Sequence, residues 1–418
     1  MKIGYVLLDG CGDRPSPSLN YTTPLEAAYT PNLDRIAARS RLGSVTTVGR
    51  GIAPESDIAV FNMLGYSFEQ GYPGRGVIEA VGSGLEVRNG DLALRANLAS
   101  ARGRTIVDRR AGRNLTQEEA ELLARDLNGM TLEGASFEFR ATISYRGVLV
   151  IRGEGSLSAA ISNTDPAYAR VGGFGAAKEP SGSDHLMRCV PESRDEGAAR
   201  AAKLVNEFTR KAQRVLDSSE VNKKRVREGK LPANLVLLRD AGDHLPDPIP
   251  FEKKYGMTGT ALVEMPAEVG IAKLLKMRMV PIKDRTDISE KARLFSSELK
   301  DGAIVYVHIK GPDEFGHDGD ARGKKKNIEL IDTEFFSAAL KHLDDMTIAV
   351  SCDHATPCTL KRHSADPVPL LVSGRGKGDG KRFNEADAAD GSLGHLRGSD
   401  VLGDVVAENF IRRTSSEA

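Results

Sequence analysis

Short, almost continuous apolar runs stand near both ends of the chain, and each is followed by polar residues. The three clearest are Ile3–Leu8, Ala303–Ile309 and Met346–Ser351. Runs of this length that lack polar alternation are typical of strands buried on both faces, as in a parallel sheet covered by helices. The pattern therefore predicts an α/β domain whose strands come from the beginning and the end of the chain.

Helical patterns lie between these runs. Pro31 begins a predicted helix that reaches about Ser40, because proline at a first helical position has no N–H to leave unpaired. The apolar run Ile58–Leu64 predicts a helix whose first turn carries Ser56. A later helix, from about Asn327, has one apolar stripe, formed by Ile328, Ile331, Phe335, Ala339 and Leu343.

The middle of the chain has a different pattern. Short strands alternate there with two long charged helices, which are predicted to begin at the capping boxes Thr116-x-x-Glu119 and Ser193-x-x-Glu196. Because the buried strands lie at the two ends, we expect the middle to be an insertion. The predicted organisation is a discontinuous domain of residues 1–80 and 250–418 around a smaller α+β domain of residues 81–249.

Composition excludes several classes of function. Lys and Arg together equal Asp and Glu at 58 each, so the net charge indicates neither a nucleic acid nor a membrane as partner. Four cysteines lie in no CxxC pair, which favours reduced thiols and a cytoplasmic protein. The first apolar run is too short for a signal peptide or a membrane span. Lys324–Lys326 is expected to be a solvated helix start.

Metal-ligand side chains follow three of the predicted strands. They are Asp9, then Asp313 with His317, then Asp353 with His354, and His363 lies shortly beyond. A single aspartate at a strand end is commonly a turn residue, but three such groups at the carboxyl edge of one sheet predict a site for two divalent cations. Mixed carboxylate and imidazole ligands favour Mn or Zn over Mg or Ca. His308, inside a strand, is assigned to packing or to supporting a ligand.

Ser56 is the candidate nucleophile for such a site. It stands at the start of a predicted helix, where free N–H groups favour a developing anion or a bound phosphate. Serine is also a preferred helix cap, and position alone favours that simpler role. The metal ligands reverse the preference, since a metal ion can lower the pKa of a hydroxyl without a neighbouring base.

Several motifs together resemble a known family. They are Asp9-Gly10, Pro54-x-Ser56-Asp57, Lys310-Gly-Pro-Asp313-x-x-Gly-His317, Asp353-His354-Ala-Thr-Pro357 and His363-Ser-x-Asp-Pro-Val-Pro. The set resembles the alkaline phosphatase superfamily and, more narrowly, the cofactor-independent phosphoglycerate mutases of archaeal type. The resemblance implies a doubly wound α/β sheet with helices on both faces, interrupted by a smaller α+β domain. Two stretches depart from the family pattern, Glu55 in place of glycine and the segment Asp165–Leu186.

The resemblance also implies a reaction and a ligand set. The reaction is interconversion of 3-phosphoglycerate and 2-phosphoglycerate through a phosphoserine, without 2,3-bisphosphoglycerate and with two divalent ions, of which Mn is favoured and Zn, Co or Mg are alternatives. One ion would be held by Asp313, His317 and His363, and the other by Asp9, Ser56, Asp353 and His354. Lys310 would neutralise the phosphate, and the inserted domain would hold the glycerate while it reorients.

Arginines of the insertion are the candidates for holding the substrate, because guanidinium forks suit carboxylate and phosphate groups. Arg110, Arg113 and Arg239 form the favoured group, with Asn97 and Asp165 as weaker candidates. A hydrolase of the same superfamily, acting on phosphomonoesters or diesters, is the alternative function. A metal-binding protein without catalysis is a third, but it leaves Ser56 without a purpose. An insertion that can exclude water favours the mutase.

Overall fold

The protein is described from a computed structural model, which covers residues 2–67, 72–171, 174–177, 185–374 and 378–414. The chain forms two compact units. The first takes Met1–Phe68, Pro248–Glu264 and Leu274–Ala418, and the second takes Glu69–Asp247 and Met265–Lys273. Part of the divergent segment Asp165–Leu186 lies outside the described residues.

The first unit is built on a mixed sheet. Its strands are β1 (Lys2–Leu8), β2 (Ser40–Thr46), β10 (Thr258–Val263), β11 (Arg278–Pro281), β12 (Ala303–Ile309), β13 (Thr347–Cys352), β14 (Val368–Ser373) and β15 (Gly394–Arg397). They lie in the order β11-β10-β12-β1-β13-β14-β2-β15, and β14 runs antiparallel to both of its neighbours. The predicted α/β class is confirmed, and all three apolar runs of the sequence are strands of this sheet.

The three central strands of this sheet end level with one another. Leu8 of β1 pairs in parallel register with Ile309 of β12 on one side and with Cys352 of β13 on the other. Each strand is buried along most or all of its length, because helices cover the sheet and its central strands have no free edge. The residues that directly follow the three strands are therefore neighbours at one edge of the sheet.

Helices connect the strands of the first unit. They are α1 (Pro24–Ala27), α2 (Pro31–Ala38), α3 (Ser56–Met63), α8 (Phe251–Tyr255), α10 (Ile288–Glu298), α11 (Pro312–Asp318), α12 (Ala321–Ile331), α13 (Ser337–Ala339), α14 (Glu385–Ala389) and α15 (Gly398–Thr414). The predicted helix from Asn327 begins earlier, at Ala321, where Asp320 caps its N-terminus. Its apolar stripe continues through a π-helical turn at Asp332–Phe336.

The second unit has its own sheet and core. Its strands are β3 (Leu92–Arg102), β4 (Thr105–Asp108), β5 (Ala135–Ala141), β6 (Arg146–Gly153), β7 (Tyr168–Val171), β8 (Phe174–Ala177) and β9 (Leu235–Gly242). Its helices are α4 (Arg75–Gly82), α5 (Gln117–Asn128), α6 (Glu196–Ser218), α7 (Glu220–Arg227) and α9 (Pro266–Leu274). Strands β4, β3, β6 and β5 form one antiparallel sheet in that order, and β9 also pairs with β3. No helix in the described part of the chain is long and apolar enough to span a membrane.

Two sequence expectations in this region change. The prediction placed the boundary between the units after residue 80, but it falls near residue 68, before α4. The reason is that Val77 and Ala80 of α4 pack against Ala93 of β3 and belong to the core of the second unit. Thr116 forms the predicted capping box with Glu119. The helix α6 is instead capped by Asp195, whose side chain accepts from the N–H of Ala198.

Lys324 is buried, which contradicts the expectation of a solvated lysine run. Its Nζ lies 2.8 Å from Asp13 Oδ2 and donates to the carbonyls of Thr356 and Gly12 at 3.0 and 3.2 Å. The side chains of Lys324 and Asp13 are both fully enclosed. Burial alone would lower the pKa of Lys324, but the Asp13 carboxylate outweighs it and raises the pKa above its ordinary value. This ion pair ties α12 to the loop after β1.

Replacing Lys324 by methionine should lower the free energy of unfolding by about 3–5 kcal/mol, because it leaves the Asp13 carboxylate buried without its cation. The matched control is Lys326→Met, since Lys326 is exposed on the same helix and should change stability by less than about 0.5 kcal/mol. Urea titration followed by circular dichroism measures both. Equal stabilities of the two variants would contradict the assigned role of the pair.

Candidate metal centre

Charged side chains meet at the edge where β1, β12 and β13 end. The N–H of Asp9 donates to the carbonyl of Ile309, and the N–H of Gly10 donates to Asp353 Oδ1 at 2.9 Å. Lys310 Nζ lies 3.3 Å from Asp9 Oδ2. The level ends of the three strands therefore bring an ammonium group and two carboxylates together from positions more than 300 residues apart.

A first group of ligand atoms is formed by Asp313, His317 and His363. Asp313 and His317 lie one turn apart on α11, and His317 Nε2 is 3.5 Å from Asp313 Oδ2. His363 Nε2 is 3.5 Å from Asp313 Oδ1 and 3.2 Å from His317 Nε2. Each imidazole directs Nδ1 at a backbone carbonyl, that of Lys361 or of Pro54, so Nε2 remains for a metal ion.

A second group surrounds His354. Its Nε2 lies 3.3 Å from Asp353 Oδ2 and 3.6 Å from Asp9 Oδ1. Ser56, the first residue of α3, places Oγ 3.1 Å from the same nitrogen. The two groups of side chains therefore lie side by side, and the Ser56 hydroxyl lies beside the second of them.

The residues fit divalent cations. Asp9 Oδ1 and Asp353 Oδ2 are buried and accept no hydrogen bond from any described residue. A buried carboxylate oxygen that accepts no hydrogen bond is costly, and a cation coordinated by both oxygens would remove that cost. Within the described residues, three sets of ligand atoms lie close enough to hold an ion: Asp313, His317 and His363; Asp9, Asp313 and His354; and Asp9, His308 and Asp353.

The pKa values follow from this crowding. Burial, reinforced by Asp353, raises the pKa of Asp9 to about 7 despite Lys310. Burial also lowers the pKa of His354 to about 4, so its imidazole is neutral. Burial would lower the pKa of His363 as well, but its hydrogen bond to Asp313 outweighs that effect and raises the value to about 9. Binding of a cation by Asp9 and His363 at neutral pH would therefore release protons.

His308 contacts the charged groups of this centre, which favours the second of its two predicted roles, support of a ligand, over packing alone. Its Nε2 lies 3.3 Å from Asp353 Oδ2 and 3.7 Å from Asp9 Oδ1, and its Nδ1 is 3.0 Å from Lys310 Nζ. Strand alternation contains the information that identifies it, because residues two apart share a face and Lys310 was already a site candidate. His308 Nδ1 accepts from Lys310, which leaves Nε2–H facing Asp353, so His308 holds both residues in position.

A second charged cluster lies in the second unit and was only partly expected. Ion pairs link arginines and carboxylates alternately in the order Arg75, Glu79, Arg95, Asp240, Arg239, Asp165 and Arg109. Burial would raise the pKa of Glu79, but Arg95 and Arg75 outweigh it and lower the value. Four guanidinium groups face three carboxylates, so this chain of ion pairs has a surplus of one positive charge. Sequence spacing reveals only its first pair, Arg75 and Glu79, four residues apart on α4.

The predicted substrate residues divide into two sets. Arg239 and Asp165 belong to the charged chain, and the guanidinium of Arg239 also stacks on the ring of Tyr168 at 4.2 Å. Asn97 is buried on β3. Arg110 and Arg113 are exposed at the 3₁₀ turn Ala111–Arg113, with the Arg110 guanidinium 6.0 Å from the ring of Tyr145. Asp165 is fully enclosed between Arg109 and Arg239, which makes it a support for these arginines.

Comparisons with known proteins identify the family of this chain. The profile of the family described as 2,3-bisphosphoglycerate-independent phosphoglycerate mutase matches residues 37–222. Proteins of that name from Aeropyrum pernix and Methanopyrus kandleri are 43% and 39% identical, covering 95% and 96% of this chain and 97% and 94% of their own.

Solved structures give the same result. A cofactor-independent phosphoglycerate mutase from Thermoplasma acidophilum is 31% identical, with a TM-score of 0.61, over 96% of this chain and 98% of that one. A protein from Pyrococcus horikoshii is 28% identical, with a TM-score of 0.76 and 97% of each chain covered. The chain belongs to the family of 2,3-bisphosphoglycerate-independent phosphoglycerate mutases.

Proposed function

We propose that this protein is an isomerase that interconverts 3-phosphoglycerate and 2-phosphoglycerate, with Ser56 as the group that carries the phosphoryl. The observation that supports the role of Ser56 most directly is the 3.1 Å separation of its Oγ from His354 Nε2, within a set of metal-ligand atoms. Ser56 is also the first residue of α3, and the N-terminus of a helix favours a bound phosphate.

The site would take two divalent ions. Asp313, His317 and His363 would hold one, and Asp9, Ser56, Asp353 and His354 would hold the other. When bound, such ions stabilise the attacking and leaving oxygens of a phosphoryl transfer and lower the pKa of a bound hydroxyl. The mixed ligands favour Mn, with Zn, Co or Mg as alternatives. No 2,3-bisphosphoglycerate is required, because the serine itself accepts the phosphoryl group.

The reaction divides into two transfers. In the first, a bond forms between phosphorus and Ser56 Oγ while the bond to the substrate oxygen breaks, which releases glycerate within the site. In the second, the other hydroxyl of glycerate takes the phosphoryl group from Ser56. Lys310, held by Asp9 and His308, neutralises charge on the transferring group. The same residues serve both transfers, so the reaction is reversible.

The arginines of the second unit bind the anionic groups of the glycerate. The support for this proposal is the buried chain of alternating charges, in which Asp165 fixes both Arg109 and Arg239. Fixed guanidinium groups lose little conformational entropy when they bind a carboxylate or phosphate. Arg110 and Arg113 supply further positive charge near the surface, and Asn97 a neutral hydrogen-bonding group. We assign the enzyme to the cytoplasm, where the glycolytic substrate occurs and thiols stay reduced.

Replacement of Ser56 by alanine should reduce conversion of 3-phosphoglycerate by on the order of a thousandfold or more, because no other group accepts the phosphoryl. Ser297→Ala is the control, since that hydroxyl is on the surface of α10 and donates only to the carbonyl of Leu294. Phosphorus NMR distinguishes 2-phosphoglycerate from inorganic phosphate. If the wild-type protein yields chiefly inorganic phosphate, it is a hydrolase, and a Ser56→Ala variant with retained turnover removes Ser56 from the mechanism.

Affinity for Mn²⁺ should rise between pH 6 and pH 9. His363, with a pKa of about 9, and Asp9, with a pKa of about 7, must lose protons to bind a cation, so protons compete most strongly at low pH. Calorimetric titration of chelator-treated protein measures both the affinity and the protons released. The His363→Ala variant should lose the part of the pH dependence near pH 9, while His395→Ala should keep it. Affinity that is constant over this range would contradict the assigned ligands.

Replacement of Arg239 by methionine should raise KM for 3-phosphoglycerate by about 10- to 100-fold, since a charge-assisted hydrogen bond contributes about 1.5–3 kcal/mol. The metal ligands stay intact, so kcat should change less than KM. Arg214→Met is the control, because Arg214 is an exposed arginine of α6. Steady-state kinetics on folded protein measures both constants, and an unchanged KM would exclude Arg239 from substrate binding.

A further inference from the structure

Thr356 is buried at the point where three segments of the metal centre meet. Its N–H donates to the carbonyl of Gly12, in the loop that follows Asp9, at 3.0 Å. Its own carbonyl accepts from Lys324 Nζ at 3.0 Å. The side chain has no exposed surface. Two hydrogen bonds therefore fix the backbone of Thr356, independently of its hydroxyl.

The hydroxyl of Thr356 contacts one ligand from each ion group. Its Oγ1 donates to Asp313 Oδ1 at 2.6 Å and lies 3.1 Å from His354 Nδ1. A hydroxyl has one proton, and a carboxylate can only accept, so that proton is directed at Asp313. The remaining lone pairs then accept from His354 Nδ1–H. This selects the His354 tautomer whose Nε2 lone pair faces Ser56, Asp9 and Asp353.

Two glycines make room for this arrangement. A Cβ added to Gly10, which has φ +56°, would lie 2.6 Å from Thr356 Oγ1, and one added to Gly316 would lie 2.7 Å from Thr356 Cγ2. Neither neighbour can therefore carry a side chain without displacing the threonine. Gly10 follows the ligand Asp9, and Gly316 precedes the ligand His317 on α11. The close packing holds the hydroxyl at a defined position between the two groups.

We propose that Thr356 is a positioning residue that couples the two ion-binding groups. Through its hydroxyl, a fixed position of Asp313 in one group selects the tautomer of His354 in the other. Asp313 held in place by a cation fixes the direction of the threonine proton, and this in turn fixes the His354 tautomer for the neighbouring group. Removal of the hydroxyl breaks both links at once. The inference rests on the proposed two-ion site, and it adds a residue that is not itself a ligand.

The test compares Thr356→Val, which replaces the hydroxyl by a methyl group, with Thr356→Ser, which keeps the hydroxyl. Metal-free proteins are titrated with Mn²⁺ by calorimetry, and electron paramagnetic resonance of unbound Mn²⁺ counts the ions. Loss of a hydrogen bond that orients a ligand typically weakens metal affinity by about 10- to 100-fold. We expect that loss in Thr356→Val for both ions and near wild-type affinity in Thr356→Ser.

A double-mutant cycle with His317→Ala tests the coupling itself. His317 belongs only to the first group and has no hydrogen bond to Thr356 or His354 in the described structure. The effect of His317→Ala on the affinity of the second ion is measured with threonine and with valine at position 356. A difference between the two backgrounds is the part of the coupling that Thr356 carries.

Each outcome decides the inference. Weaker binding in Thr356→Val, rescue in Thr356→Ser and a background-dependent effect of His317→Ala support it, provided that circular dichroism and the thermal transition show folded variants. Two-ion binding that is unchanged in Thr356→Val overturns the inference alone. Equal losses in the valine and serine variants also overturn it, because they assign the effect to the lost packing. Failure of the wild-type protein to bind Mn²⁺, Zn²⁺ or Co²⁺ overturns the two-ion site and the inference with it.

Discussion

The structure of the first unit depends on how it compensates carboxylates buried at the level ends of three parallel strands. The register that pairs Leu8 with Ile309 and Cys352 forces Asp9 and Asp353 together. Such a pair is unfavourable without positive charge, because a low-dielectric interior strengthens the repulsion. Lys310 supplies part of the compensation, and the imidazole of His308 lies 3.3 Å from Asp353 Oδ2. In the proposed function divalent cations would supply the rest, so the same constraint that costs stability would create the binding site.

Residues behind the ligands hold this arrangement in place. Lys324 is a buried cation that joins α12 to Asp13 and to the carbonyl of Thr356, and Thr356 contacts a ligand of each group. Catalysis by positioned charges requires ligands that do not reorganise during the reaction. The second unit uses the same solution in another form, since the three carboxylates of its charged cluster are each placed between two arginines. In both units, paired charge fixes the groups that are proposed to bind metal ions or substrate.

Local pattern predicted much of the fold. The buried strands, the helix at Ser56 and the capping box at Thr116 depend on neighbouring residues, which the sequence contains directly. The start of α6 was misplaced because Asp195, not Ser193, is the cap, and both residues are good caps. The boundary near residue 80 was misplaced because α4 lies close in sequence to the first unit but packs on β3 of the second.

The sequence by itself determined the α/β class, the residues that follow the strands and hence the chemistry of the candidate site. Only the tertiary structure decided which charged residues are buried and what they meet. The local sequence predicts that Lys324 is one of three solvated lysines, but its side chain contacts Asp13, 311 residues away. Nothing in the sequence near Arg95 or Asp240 indicates that these two residues pair. Periodicity indicates the face of an element on which a residue lies. A buried ion pair, in contrast, forms only when folding brings two segments that are distant in sequence into contact.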